Sequence, residues 1–141
     1  HKPRRVLEIG TAHGLSLCHL ALKAPLGCKF FTIEWDEQTA KEAQFNLDEA
    51  GIDATVLNGD ALVILPLFVK PFDLVFMDAN KDGYLEQFQI LESRGLLGSA
   101  CMVIADNVID RQAECQNFLD YMQKYKPTIH NTECGLLVAR I

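Results

Sequence analysis

Two apolar runs in this chain end in oxygen-bearing side chains. Phe72-Asp-Leu-Val-Phe-Met-Asp78 is followed by Asn80, Lys81 and Asp82, and Met102-Val-Ile-Ala-Asp106 by Asn107. Carboxylates and amides are hard donors that suit Mg²⁺, Mn²⁺ or Ca²⁺ rather than zinc. Neighbouring strands of a parallel sheet lie about 5 Å apart, and ligands settle in the crevice outside their carboxyl ends. If these two strands are neighbours, Asp78, Asp106 and Asn107 converge on one cation, with Lys81 a short turn away.

A second constellation lies earlier in the chain. Glu8-Ile-Gly10-Thr-Ala-His-Gly14 turns a first apolar run into a helix-like segment, with Ser16 in its first turn. A glycine loop there lets the backbone approach a ligand, and a helix N-terminus offers unpaired N–H groups. The next apolar run ends in Glu34, 24 positions beyond Gly10, where an acid commonly holds ribose hydroxyls. Ala12 and His13 depart from the Gly-x-Gly-x-x-Gly pattern built for a pyrophosphate. A ligand made of a nucleoside and a small zwitterion suits this loop better.

The elements that must position these groups alternate from end to end. Strands are expected at Val6–Ile9, Phe30–Ile33, Ala54–Leu57, Phe72–Met77 and Cys101–Ala105, and a closing hairpin at Pro127–Ile129 and Leu136–Ala139. Helices are expected at Gly14–Lys23, after an Asp36 cap, briefly from Ala61 towards Phe68 with Pro66 limiting it, at Tyr84–Glu92 and at Arg111–Tyr125. Ala40, Ala43, Leu47 and Ala50 share one helical face, and Gly51 stands where a glycine stop belongs. Inward positions are expected at Leu85, Phe88 and Leu91 and at Cys115, Phe118, Met122 and Tyr125. Alternating βα units imply a parallel sheet covered on both faces, a three-layer doubly wound α/β domain, with the hairpin adding an antiparallel strand near one edge.

The chain has 141 residues, 49% hydrophobic and 23% charged, which bounds it to one globular domain, residues 1–141. A net charge of −6 weighs against nucleic acid as a partner. The basic trio Lys2, Arg4 and Arg5 is read as a solvated flank. Five cysteines form no CxxC pair and read as free thiols in a reducing, cytoplasmic compartment. No run reaches the ~20 apolar residues of a membrane span. His13, His19 and His130 lack metal-ligand spacing.

Leu7-Glu-Ile-Gly-Thr-Ala-His-Gly-Leu-Ser16, Thr32-Ile-Glu34, Gly59-Asp60-Ala61, Asp78-Ala-Asn-Lys81 with Tyr84, and Ala105-Asp-Asn-Val108 follow one another in register over nearly the whole chain. Together they resemble the cation-dependent O-methyltransferases, the group that contains catechol and caffeoyl-CoA O-methyltransferases. The resemblance implies a Rossmann-like sheet of seven strands in the order 3-2-1-4-5-7-6, strand 7 antiparallel. It implies S-adenosylmethionine as cofactor, with Gly10, Gly14 and Ser16 around its methionine portion, Glu34 on the ribose, Asp60 and Ala61 bordering the adenine, and Glu8 and Gly59 among the other cofactor-binding residues. Asp78 lies beside the cofactor and, with Asp106 and Asn107, matches the ligands of a Mg²⁺ (or Mn²⁺ or Ca²⁺) site. Lys81 matches the catalytic lysine. Trp35 packs against adenine or covers the sheet edge, and Tyr84 touches substrate or fills the core; the sequence leaves both open.

The chemistry fits such residues. Methyl transfer from a sulfonium to oxygen is an in-line displacement, so alignment supplies much of the rate. A cation on two vicinal oxygens activates a catechol-like hydroxyl, and Lys81 could take its proton. The expected activity is therefore O-methylation of a small vicinal-dihydroxy acceptor. A methyltransferase for hydroxylated tRNA uridines and a non-catalytic S-adenosylmethionine-binding module are the alternatives. The family's helical segment ahead of strand one, which closes the acceptor pocket and makes a homodimer, is represented here only by His1–Arg5, whereas Gly135–Ile141 resembles the family's own end.

Overall fold

In the computed structural model, which describes residues 2–141, β1 (Arg5–Ile9) lies at the centre of the sheet. Val6, Leu7, Glu8 and Ile9 are all buried, as a strand covered on both faces requires. β1 pairs in parallel with β2 (Lys29–Glu34) on one side and β4 (Phe72–Met77) on the other. β3 (Ala54–Asn58) extends the sheet beyond β2, and β5 (Leu97–Asp106) beyond β4. β7 (Leu136–Arg140) runs antiparallel to β5 and carries β6 (Thr128–His130) at the edge. The order is 3-2-1-4-5-7-6 with β7 the antiparallel strand, as expected.

α1 (Leu15–Lys23) and α2 (Glu37–Glu49) accompany a cluster containing Val6, Leu17, Phe30, Leu47 and Leu74. α3 (Ala61–Ile64), α4 (Tyr84–Ser93) and α5 (Gln112–Met122) contribute to the larger cluster around Leu7, Ile9, Val75, Phe88 and Phe118. Asp36 caps α2 by accepting the Thr39 N–H at 2.8 Å. α2 ends at a left-handed Gly51, where Ile52 N–H reaches back to the Leu47 carbonyl.

Several boundaries differ for local reasons. β5 starts at Leu97 rather than Cys101, because a register shift between Phe72 and Leu74 and a positive φ at Ala100 let the chain kink and still pair. α3 stops at Ile64 and tightens into a 3₁₀ turn over Leu65–Leu67 that holds Pro66. α5 ends at Met122, passes into a 3₁₀ turn and is stopped by left-handed Lys126 before Pro127. On α4 the inward face holds Tyr84, Gln87, Phe88 and Leu91, with Leu85 only half-buried. Arg5 is not a free solvated flank: its guanidinium lies 4.6 Å over Phe31 and 5.0 Å over Phe72. The cysteines are free, and among the described residues no helix is long and apolar enough to cross a membrane.

Candidate active site

The glycine loop sits at the carboxyl end of β1, against the tip of β4. Gly10 has φ +96°, and a Cβ there would lie 2.4 Å from the Asp78 carbonyl oxygen. Only a residue without a side chain lets β1 turn so close to that strand. Gly10 N–H donates to the Ile33 carbonyl at 3.0 Å, and Asp78 N–H to the Ile9 carbonyl at 2.8 Å. These bonds tie the tips of β1, β2 and β4 into one floor.

Glu34, at the tip of β2, is held by backbone donors. Its Oε2 accepts the Ala12 N–H at 2.9 Å and its Oε1 the Asp36 N–H at 3.0 Å. Asn58 Nδ2 donates to the Glu34 and Trp35 carbonyls at 3.0 Å each, fastening β3's tip to β2's. Asp60 accepts the Leu62 N–H at 2.8 Å and so caps α3. A cavity of about 480 Å³ opens above these tips, lined in part by Gly10, Ser16, Glu34, Asp60, Ala61 and Asp78. That volume falls in the range of small-ligand and cofactor sites. Trp35 and Gly59 also border it, Trp35 with 73% of its surface exposed. Gly14, at φ +86°, does not line the cavity; it packs against Leu47 of α2 and begins α1.

Glu8 is placed differently from its companions in the motif. It is wholly buried beneath the loop, with Oε1 accepting from Ser16 Oγ at 2.5 Å and Oε2 from Thr32 Oγ1 at 2.6 Å. Thr11 Oγ1 joins the Thr32 hydroxyl, so a chain of hydroxyls runs from loop to carboxyl. Burial pushes the Glu8 carboxyl up to about 7 from its ordinary 4.5, against the downward pull of Ser16 and Thr32. The charges of Asp78 and Glu34 push the same way as burial.

The consequence has a sign. Between pH 4.5 and about 7 the folded chain keeps a proton that the unfolded chain has lost. Stability from this group is therefore full below pH 4.5, declines as pH rises towards 7 and is level above. Glu8→Gln imitates the protonated form, so its stability relative to the parent rises by up to about 3 kcal/mol between pH 4.5 and 8. Urea unfolding at several pH values checks this, and a pH-independent difference would contradict it.

The tips of β4 and β5 are paired through Met77 and Ala105, so Asp78 and Asp106 follow as neighbours on adjacent strands. Tyr84 staples them: its hydroxyl is 2.7 Å from the Met77 carbonyl and 3.2 Å from that of Asp106. Its ring is fully buried, edge-on to Phe118, so Tyr84 belongs to the core. Burial pushes its phenol far above the usual range, and the charges of Asp78 and Asp106 add to that. Tyr84→Phe leaves the two carbonyls without this donor and should cost about 1–3 kcal/mol in urea unfolding. A loss below about 0.5 kcal/mol, less than an ordinary net hydrogen bond, would contradict the staple.

Asp78 Oδ1 accepts from Lys81 Nζ at 2.9 Å, and Lys81 is only 7% exposed. Asp106 Oδ1 accepts the Asn107 N–H at 2.8 Å, closing a turn in which Asn107 takes φ +60°. Asp78 borders the cavity; Lys81, Asp106 and Asn107 do not, and Lys81 instead lines an adjoining hollow with Asp82, Glu114 and Phe118. Among the described residues no three His, Cys, Asp or Glu side chains gather to hold a metal. The donor set at the strand tips is two carboxylates and an amide, all oxygen, which fits a hard cation completed by water or substrate. Thr11, Thr32, Asn58 and Gln87 also shape this region. Sequence reading missed them because their polar roles depend on contacts between strands or helices far apart in the chain.

The family profile described as O-methyltransferase matches residues 1–126. A catechol O-methyltransferase of Niastella koreensis is 38% identical over 112 residues, covering 75% of this chain and 50% of that protein. One from Mycobacterium tuberculosis is 39% identical over 112 residues, covering 75% and 49%. The chain thus spans about half the length of these curated relatives. The O-methyltransferase TomG from Streptomyces achromogenes, involved in tomaymycin synthesis and solved with SAM, superposes with a TM-score of 0.86 at 30% identity, over 99% of this chain and 74% of that one. The O-methyltransferase from Bacillus cereus, solved with SAH, gives 0.87 at 26% identity over 99% and 74%.

Proposed function

Because the chain belongs to the O-methyltransferase family, we propose that residues 1–141 form one domain that transfers the methyl group of S-adenosylmethionine to a hydroxyl of a catechol-like, vicinal-dihydroxy small molecule. The observation that carries this reading is the position of Asp78. It borders the cavity, pairs with buried Lys81 and stands beside Asp106 across a sheet register held by Tyr84.

Each residue has a distinct task. The Gly10 turn and Ser16 receive the methionine portion of the donor, with Gly14 starting the helix behind them. Glu34, fixed by two backbone N–H groups, accepts from ribose hydroxyls. Gly59, Asp60 and Ala61 border the base, with Trp35 as an exposed flank. Glu8 braces the loop from below rather than meeting the ligand. Asp78, Asp106 and Asn107 would hold a divalent cation such as Mg²⁺, and that ion would supply Lewis-acid activation of the acceptor hydroxyl. Lys81 Nζ, as the neutral amine, would take the acceptor's proton and become the ammonium that pairs with Asp78, held in place by that carboxylate and by the Tyr84 ring 5.1 Å away.

Methyl-labelled S-adenosylmethionine with catechol and Mg²⁺ tests the reading. Labelled methyl catechol that disappears on adding EDTA is expected. Turnover that is unchanged by EDTA contradicts the cation, and tight donor binding without turnover on a panel of catechols contradicts the enzyme.

A further inference from the structure

Gln87 presents an amide that the fold does not use. It lies in α4, which packs against α3, is 7% exposed and lines the cavity together with Asp60, Ala61 and Leu62 of the α3 start. Its Oε1 is buried and has no hydrogen-bond partner among the described residues. Buried amide oxygens are nearly always paired, because an orphaned acceptor costs the desolvation it suffered on folding. The other amide atom is also constrained: a Cβ at Gly83 would come within 3.1 Å of Nε2. Gly83 thus leaves room for the amide, and the terminal torsion of a glutamine is broad enough to exchange its two faces.

We propose that Gln87 is a specificity residue for the purine of the bound donor, its amide accepting from the exocyclic N6 amine and donating to N7. A carboxamide offers one acceptor and two donors in a plane, which matches adenine's N6 amine and N7; a 6-oxo purine presents two acceptors on that edge, O6 and N7, and leaves the amide oxygen unpaired whichever way it is turned. This inference rests on the donor-binding reading above and adds to it a residue on α4 that discriminates the base. A site built to pair with a polar group rejects an analogue that reverses it, because its own buried atoms are then left unpaired.

Calorimetric titration with S-adenosylhomocysteine and with its 6-oxo counterpart, S-inosylhomocysteine, provides the test. The parent chain should bind the adenosine form at least about tenfold tighter. Gln87→Leu should lose most of that ratio, while Gln87→Glu, which keeps an acceptor for N6, should retain it; circular dichroism confirms that each variant folds. A Gln87→Leu ratio equal to the parent's, or a parent that binds both ligands equally, overturns the inference while leaving the donor site standing. A parent that binds neither overturns the donor-binding reading itself, and the inference with it.

Discussion

Asp106→Ala should reduce metal-dependent methyl transfer by about a thousandfold or more, the scale of a lost Lewis-acid contribution of several kcal/mol. The same variant should bind S-adenosylhomocysteine about as well as the parent, since Asp106 does not line the 480 Å³ cavity. Its fold should survive, because the Tyr84 staple uses the Asp106 carbonyl, not its carboxylate. The substitution also removes the acceptor for the Asn107 N–H, so the left-handed turn at Asn107 loosens and two ligands are compromised together. Equal loss of turnover and donor affinity would contradict this account, as would full activity in the variant.

Gly10→Ala should be severely damaging although it adds a single methyl group. Its Cβ would stand 2.4 Å from Asp78 O, 2.6 Å from Asp78 C and 2.8 Å from Ala79 N, all backbone atoms with little freedom to move. Left-handed strain and the steric clash together should cost at least about 2 kcal/mol. Pushing β4's tip away from β1 also displaces Asp78, so donor affinity and turnover should both collapse. Gly27→Ala is the control: φ is +80° there, and nothing lies within 4 Å of an added Cβ. It should cost only about 1 kcal/mol of backbone strain. Equal losses in the two variants, by urea unfolding, would show that the close approach at Gly10 is unimportant.

The sheet was legible because its central strands are largely apolar runs closed by a glycine or an acid, and such runs tolerate few alternatives. Phe72–Met77 is the same strand in sequence and structure, and the Asp36 cap and Gly51 stop of α2 fall where their chemistry requires. The early part of β5 was not legible, because Gly98, Ser99 and Ala100 look like a loop and fall in the irregularity between the Phe72–Leu97 and Leu74–Met102 pairs.

Within the site, the acids and glycines announced themselves by type and spacing, but their working state did not. Glu8 has the same residue type as Glu34, yet one is sealed under the loop and the other faces the cavity. That difference comes from depth along the sheet: Glu8 pairs with Thr32, two positions short of the tip where Glu34 stands, and is flanked by hydroxyls from α1 and β2, which no local pattern reveals. Tyr84 fitted either substrate contact or core, and its bonds to two strand tips decide for the core. Gln87 was hidden because the apolar spacing Leu85, Phe88 and Leu91 defines an inward face without a polar residue, and nothing local marks an amide as buried.

The most direct test of the central claim is a Mn²⁺ titration followed by electron paramagnetic resonance, which counts bound ions without requiring turnover. One Mn²⁺ per chain should bind, with affinity lost in Asp78→Ala and in Asp106→Ala, and Glu114→Ala should bind as the parent does. Mn²⁺ binding that survives both strand-tip substitutions would contradict a shared ion between β4 and β5, and the proposed chemistry with it.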